Sequence, residues 1–297
     1  MFVKVCDHLL NPRLDESCSA FVGRLITIVI TRANQFISHE DTHRLLRSVV
    51  VKLSSCETLS VVESLILIFA HLIYYELPPI LDFLSSLPAP NGKQSALEFV
   101  LINWLNRQHL FYGCYENKVS ILSLCKLLEH SIVHQSDDSN PNLNRITVPG
   151  DIIIPESNSP GIKTRSKTAS QPVQWSYVPC SVKILKLLLA QMKNFEEERD
   201  ILTENSDDDD DDDSTSGHQR AGMSMEKLDS TGVGIIDEVW ADGEGDIDEE
   251  DVLNEEIGKL DLEEYLRNVL RDFKGLPFLN DFAAHLTDTE KIILNKI

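Results

Sequence analysis

Seven consecutive aspartates, Asp207, Asp208, Asp209, Asp210, Asp211, Asp212 and Asp213, open the stretch of this chain with the strongest chemical character. Residues 204–256 hold 21 Asp and Glu against two basic residues, Arg220 and Lys227. A second acidic knot lies at Asp246, Asp248, Glu249, Glu250 and Asp251. Carboxylates at this density repel one another, and the segment has too little apolar surface to offset the entropy of ordering. It is expected to be a flexible, solvated arm. One reading makes the arm a spacer. The sharper reading makes it a counter-charge, its aspartates and glutamates being the residues that bind a basic protein. Trp240, alone in the acidic run, then reads as a partner anchor, because Trp is enriched in binding hot spots.

Other chemistry is weakly signalled. No G-x-S-x-G, Walker loop, H-E-x-x-H or dinucleotide fingerprint occurs, so neither an enzyme nor a cofactor is expected. Asp242, Glu244, Asp246 and Asp248 alternate as calcium ligands do. A calcium loop opening at Asp242 would need Gly at its sixth position, where Ile247 stands. The nine His form no metal-ligand spacing, and His71, inside an apolar run, reads as a hydrogen-bonded core histidine. The six Cys contain no C-x-x-C pair, which argues against zinc and disulfides and fits a reducing compartment. Cys18 and Cys125 fall inside apolar periodic runs, where a free Cys packs as a small hydrophobe.

The net charge of −21 is unevenly placed. Residues 201–297 carry 28 acidic and 8 basic residues, leaving 20 and 19 for residues 1–200. Direct nucleic-acid binding needs Lys and Arg to displace counterions from phosphate, so it is not expected. A basic protein is the natural complement. The N-terminus lacks a basic-then-apolar signal layout. The longest apolar run, residues 65–75 between Glu63 and Glu76, is about half the length that spans a bilayer, so no membrane role is expected.

The elements that must carry the arm are helical. Cys18, Phe21, Val22, Leu25, Ile28 and Val29 recur at helical spacing, and Leu46, Val49, Val50 and Leu53 share the face of a second helix. A third helix, from about Glu57, has two stripes: Leu59, Val62, Ile66, Phe69, Ile73 and Val61, Leu65, Ile68, Leu72. A helix apolar on two sides must be packed on two sides. Residues 77–87 form a shorter helical piece started by Pro78 and Pro79. Further helices are marked by Leu97, Val100, Leu101, Trp104, Leu105, then by Ile121, Leu124, Cys125, Leu128, Ile132. Starts near residues 17, 57 and 95 recur at about the HEAT or armadillo repeat length.

Residues 136–177 form a long inter-helix insertion with a small basic cluster, Lys163, Arg165 and Lys167. Short strand pieces are expected only within residues 145–180. Val182, Leu185, Leu189 and Met192 then mark a helix assigned to residues 178–202. The acidic loop takes residues 203–258. Closing helices fill residues 259–297, with Leu262, Tyr265, Leu266, Val269, Leu270 and Phe273 on one face. The fold class is thus all-α, a HEAT-repeat α-solenoid over residues 1–135 and onward, with a long acidic disordered loop between the last helices. The face around Phe21, Val22 and Leu25 is expected to be an uncapped solenoid end.

Specific blocks carry a resemblance. Residues 20–26 (AFVGRLI), 57–72 (ETLSVVESLILIFAHL), 96–100 (ALEFV), 107–128 (RQHLFYGCYENKVSILSLCKLL), 161–167 (GIKTRSK), 182–188 (VKILKLL) and 260–273 (LDLEEYLRNVLRDF) resemble, in order, the C-terminal part of karyopherin-β nuclear transport receptors. An acidic loop occupies the same place in those proteins. The resemblance implies a HEAT-repeat receptor that carries basic cargo, core histones and ribosomal proteins among them. It also implies contacts with nucleoporin FG repeats, shuttling between cytoplasm and nucleus, and cargo release by Ran-GTP. The family's main Ran-binding repeats lie toward the N-terminus of a much longer chain, and no residue here matches them. An acidic scaffold that shields basic proteins without transporting them is the alternative.

Overall fold

The computed structural model describes residues 2–19, 21–111, 113–134, 143–153, 174–204, 256–276 and 279–297. The chain divides into two compact units, one formed by residues 1–194 and 261–297, the other by residues 195–260.

The first unit is a stack of helices around one long apolar helix. α1 (Phe2–Leu9) packs on both α2 (Val22–Arg32) and α3 (His39–Leu53), and these lead into α4 (Leu59–Ser86). α4 is packed by α2 and α3, by α5 (Ala96–Arg107) and by α6 (Cys114–Val133). Both predicted stripes of α4 are therefore buried, apart from Leu59 at its start. His71 is buried there as well, its ring 5.9 Å from that of Tyr115.

α4 is longer than the apolar run that announced it. By length and composition it could cross a bilayer. Its packing on several sides accounts for that apolar character without a membrane. At Glu76 the backbone leaves helical geometry (φ −136°, ψ 54°) just before Pro78 and Pro79. Neither proline has an N–H to donate, and each ring crowds the preceding turn. The second half is the shorter piece predicted for residues 77–87, joined to the first through this kink.

Local signals set the helix starts. Ser38 accepts a hydrogen bond from the Asp41 N–H, and Asp261 accepts one from Glu264. Ser95 with Glu98 and Thr287 with Glu290 form reciprocal capping boxes. The N-terminus of α4 is closed from a distance, because the Glu16 carboxylate accepts the N–H groups of Glu57 and Thr58 at 2.9 and 2.7 Å. Lys52, buried on α3, donates to the carbonyls of Asn11 and Leu14 and so ties down the loop after α1.

The start of the chain corrects two expectations. α2 begins at Val22, so Cys18 lies in a 3-10 turn, Glu16–Ser19, and is exposed rather than packed. The buried face of α2 is Val22, Ile26, Val29 and Ile30, rotated from the predicted Phe21, Leu25 and Ile28. Gly23 explains the rotation. A Cβ there would stand 2.2 Å from the Ser64 carbonyl oxygen, so α2 and α4 touch backbone to backbone where only hydrogen fits. Gly23→Ala must push the two helices apart, at a cost of about 1–3 kcal/mol in overpacking. Chemical denaturation should show that loss; unchanged stability would mean that this contact is looser than described.

After α6 come β1 (Thr147–Ile153) and β2 (Gln174–Pro179), an antiparallel pair with a register shift between Pro149 and Ile152. The strand pieces thus lie where short ones were expected. Pro179 closes β2, and α7 (Cys180–Glu204) follows directly, two residues later than the assigned start at 178. α7 also runs past 202, and α8 (Glu256–Lys259) is helical inside residues assigned to the loop. α9 (Leu262–Lys274), α10 (Leu279–Ala283) and α11 (Asp288–Lys296) complete the first unit, with α9 against α6. α10 was not foreseen; its five residues are too few to show a period. Within the first unit the repeated helix packing is that of the expected helical-repeat class.

Candidate functional site

The twelve carboxylates singled out as binding residues, and Trp240, all lie outside the described residues. So does the basic cluster Lys163, Arg165 and Lys167. What the structure supplies is the frame from which the acidic stretch departs and to which it returns.

The departure point is the first half of α7. Its apolar face, Val182, Ile184, Leu185, Leu188, Leu189 and Met192, is buried in the first unit. Lys186, 7% exposed on the same helix, reaches Asp151 of β1 at 2.6 Å and Glu290 of α11 at 3.5 Å. One buried ammonium thus ties three elements, and both carboxylates offset the cost of burying it. Ser181 hydrogen-bonds the Asn144 side chain. Asn117 of α6 donates to Gln191 at 3.3 Å. Burial, the larger influence, lowers the pKa of neighbouring Lys183 from its ordinary value, while Asp151 and Glu290 oppose that shift.

The return point is α9, capped by Asp261 and anchored by Leu266, Val269, Leu270 and Phe273. The rings of Phe273 and Phe282 meet edge to face at 5.1 Å. Tyr265, half-buried and near Glu129, has its phenol pKa pushed up, chiefly by desolvation.

The division into units sharpens the charge distribution. Of the chain's 48 acidic and 27 basic residues, the second unit holds 25 and 4, leaving 23 of each in the first. The first unit is neutral, and the second carries the whole net charge. A scan by chain thirds blurs this boundary, because Glu196, Glu197, Glu198 and Asp200 precede residue 201.

Other clusters lead to less. Among the described residues no group of three or more His, Cys, Asp or Glu converges as a metal site. His130 and His134, four apart at the end of α6, bring their ring centroids to 4.4 Å; that i,i+4 spacing stands in the sequence and corrects the reading that the nine His form no such pair. All six cysteines are free; Cys6, Cys125 and Cys180 are buried. Burial pushes the Cys180 thiol up to about 12. No sequence pattern announced the approach of Glu63 on α4 to Glu116 on α6. Burial first, and then the Glu116 charge, raise the Glu63 carboxyl to about 7. A raised carboxyl pKa means that the folded state holds the proton more tightly than the unfolded chain, so stability from this group falls as pH rises from about 4.5 to 7. Glu63→Gln should therefore raise the thermal midpoint at pH above 7 and leave it nearly unchanged near pH 4. An equal effect at both pH values would contradict the assignment.

A family described as Importin-11-like, TPR repeats, matches residues 1–147. TPR and HEAT units are both helix pairs, in keeping with the stack observed here. Importin-9 of Drosophila melanogaster is 32% identical over 296 residues, covering 98% of this chain and 27% of that protein. Importin subunit beta-5 of Schizosaccharomyces pombe is 25% identical over 194 residues, 65% of this chain and 18% of its own length. The Saccharomyces cerevisiae protein of the same name is 27% identical over 190 residues, 64% and 18%. The chain thus spans about a quarter or less of these curated relatives.

Proposed function

The chain belongs to the importin-β family over the length it spans, and from that premise we propose that it is the cargo-holding C-terminal part of a nuclear import receptor for basic proteins. The observation that carries the reading is the charge partition. A neutral helical frame holds a second unit with 25 acidic and 4 basic residues. Self-repulsion on that scale destabilises a compact state, and a basic partner relieves it. Core histones and ribosomal proteins have the matching charge.

Binding of this kind proceeds by long-range attraction followed by many weak contacts. The aspartate run Asp207–Asp213 and the group from Asp246 to Asp251 draw the cargo in, and Trp240 supplies an apolar anchor. The neutral first unit adds no comparable field of its own and serves as the support. In a transport cycle the receptor shuttles between cytoplasm and nucleus, contacts nucleoporin FG repeats at the pore, and releases cargo to Ran-GTP. The main Ran contacts of such a receptor lie in repeats outside this chain.

Capture of the chain on immobilised FG-repeat segments, in the presence and absence of a histone dimer, tests the transport reading. Retention on the FG repeats is expected. A chain that binds histones but is never retained would be an acidic shield for basic proteins, without a transport step.

A further inference from the structure

The β1–β2 hairpin has one face in the core and one in solvent. Val148 and Val178 are buried, as is Gly150. The Ser176 hydroxyl accepts the Asp151 N–H at 2.8 Å. Strand alternation places Trp175 and Tyr177 on the opposite face, where they are 45% and 71% exposed. Tyr177 stands across from Pro149, and Trp175 across from Ile152. The inward residues already close the strand pair onto the core of the first unit, so among the described residues two large rings remain in solvent.

Resting on the reading of the chain as a receptor for basic proteins, we propose that this face is an arginine-stacking site, Trp175 and Tyr177 receiving guanidinium groups of an extended basic segment. Three features select that occupant. The face of an indole or phenol ring carries negative potential and attracts cations, Trp most strongly. Guanidinium is planar and weakly hydrated, so it stacks on such rings better than ammonium does. Alternate residues on a strand lie about 7 Å apart, which is also the spacing of alternate side chains in an extended peptide, so an Arg-x-Arg pattern matches the two rings. Charge complementarity supplies the rest, since a chain of net charge −21 concentrates basic segments around itself. The acidic unit attracts without regard to sequence. The ring pair adds preference for arginine.

The test uses the full chain and a short, labelled, alternating Arg-Ser peptide with its Lys-Ser counterpart, titrated at low and high salt. The wild-type chain should prefer the Arg peptide, and part of that preference should survive high salt, where carboxylate contacts are screened. The double variant W175S/Y177S should bind the Arg peptide roughly 3- to 30-fold more weakly and the Lys peptide nearly as before. Trp175→Phe should recover most of the loss. Both rings are exposed, so an unchanged thermal midpoint is expected, and Tyr177→Ser alone repeats the test if the double variant does not fold. Equal Arg-peptide affinity in wild type and double variant overturns the proposal while leaving the receptor reading intact. Failure of both peptides to bind the wild-type chain at low salt overturns both. Self-association that the double variant abolishes would assign the face to a second copy, and that also overturns it.

Discussion

Truncating Trp104 to alanine is expected to destabilise the first unit by about 4 kcal/mol, within the ~3–5 kcal/mol typical of a large aromatic lost from a core. Trp104 is fully buried on α5 and is among the largest such side chains of the structure. Its indole N–H donates to Ser120 at 2.7 Å and to Gln108 at 3.0 Å. Gln108 in turn donates to Asn117 at 3.1 Å, and Asn117 donates to Gln191 of α7. The variant therefore leaves a cavity and also removes the donor at the head of a chain of polar groups that ends on α7. In a unit of this size the thermal midpoint should fall by roughly 8–16 °C. Trp104→Phe separates the two losses, because it keeps most of the volume and removes only the donor. Its effect should be smaller, about 1–3 kcal/mol for acceptors left unpaired. A Trp104→Ala loss under about 1 kcal/mol would contradict the full burial of Trp104 on α5.

Replacing all seven residues of the aspartate run by asparagine should weaken binding of a basic cargo strongly at low salt and little at high salt. Each exposed pair is worth only ~0.2–1 kcal/mol, so a single Asp→Asn change should pass almost unnoticed. Seven together remove a third of the acidic charge that residues 204–256 carry. The Debye length falls from about 10 Å at 0.1 M salt to about 3 Å at 1 M, and the difference between wild type and variant should shrink with it. The loss should appear chiefly in the association rate, where long-range steering acts. Stopped-flow mixing with a histone dimer at two salt concentrations measures both quantities. Equal association rates at low salt would reduce the run to a spacer.

The helical frame was legible wherever the apolar period was long. The stripes of α3, α5 and α7 fell on buried residues because their polar faces point to solvent and the period survives over several turns. α2 misled for a physical reason. Its contact with α4 is made by Gly23, a residue that no hydropathy pattern marks as interior, so the apolar residues alone fixed the wrong rotation. α10 and α8 are too short to carry a period. The hairpin was visible only as β-branched residues near Ile152, since its pairing joins segments about 25 residues apart.

For the site, composition was the informative layer. Charge density read along the chain located the acidic stretch. The folded boundary at Asn194 and Asp261 then showed that the rest is neutral. Residues brought together by packing, such as Lys186 with Asp151 and Glu290, had no counterpart in spacing. Trp175 and Tyr177 were written in the sequence as an alternating aromatic pair, but their exposure follows only from the hairpin register.

The most direct test of the central claim is an equilibrium titration of the intact chain with a core-histone dimer, and with a neutral globular protein of similar size, across a salt series. The account predicts tight binding of the histone dimer at low salt, an affinity that declines steadily as salt rises, and no binding of the neutral protein at any salt. Absence of histone binding at low salt, or equal binding of both proteins, would contradict it.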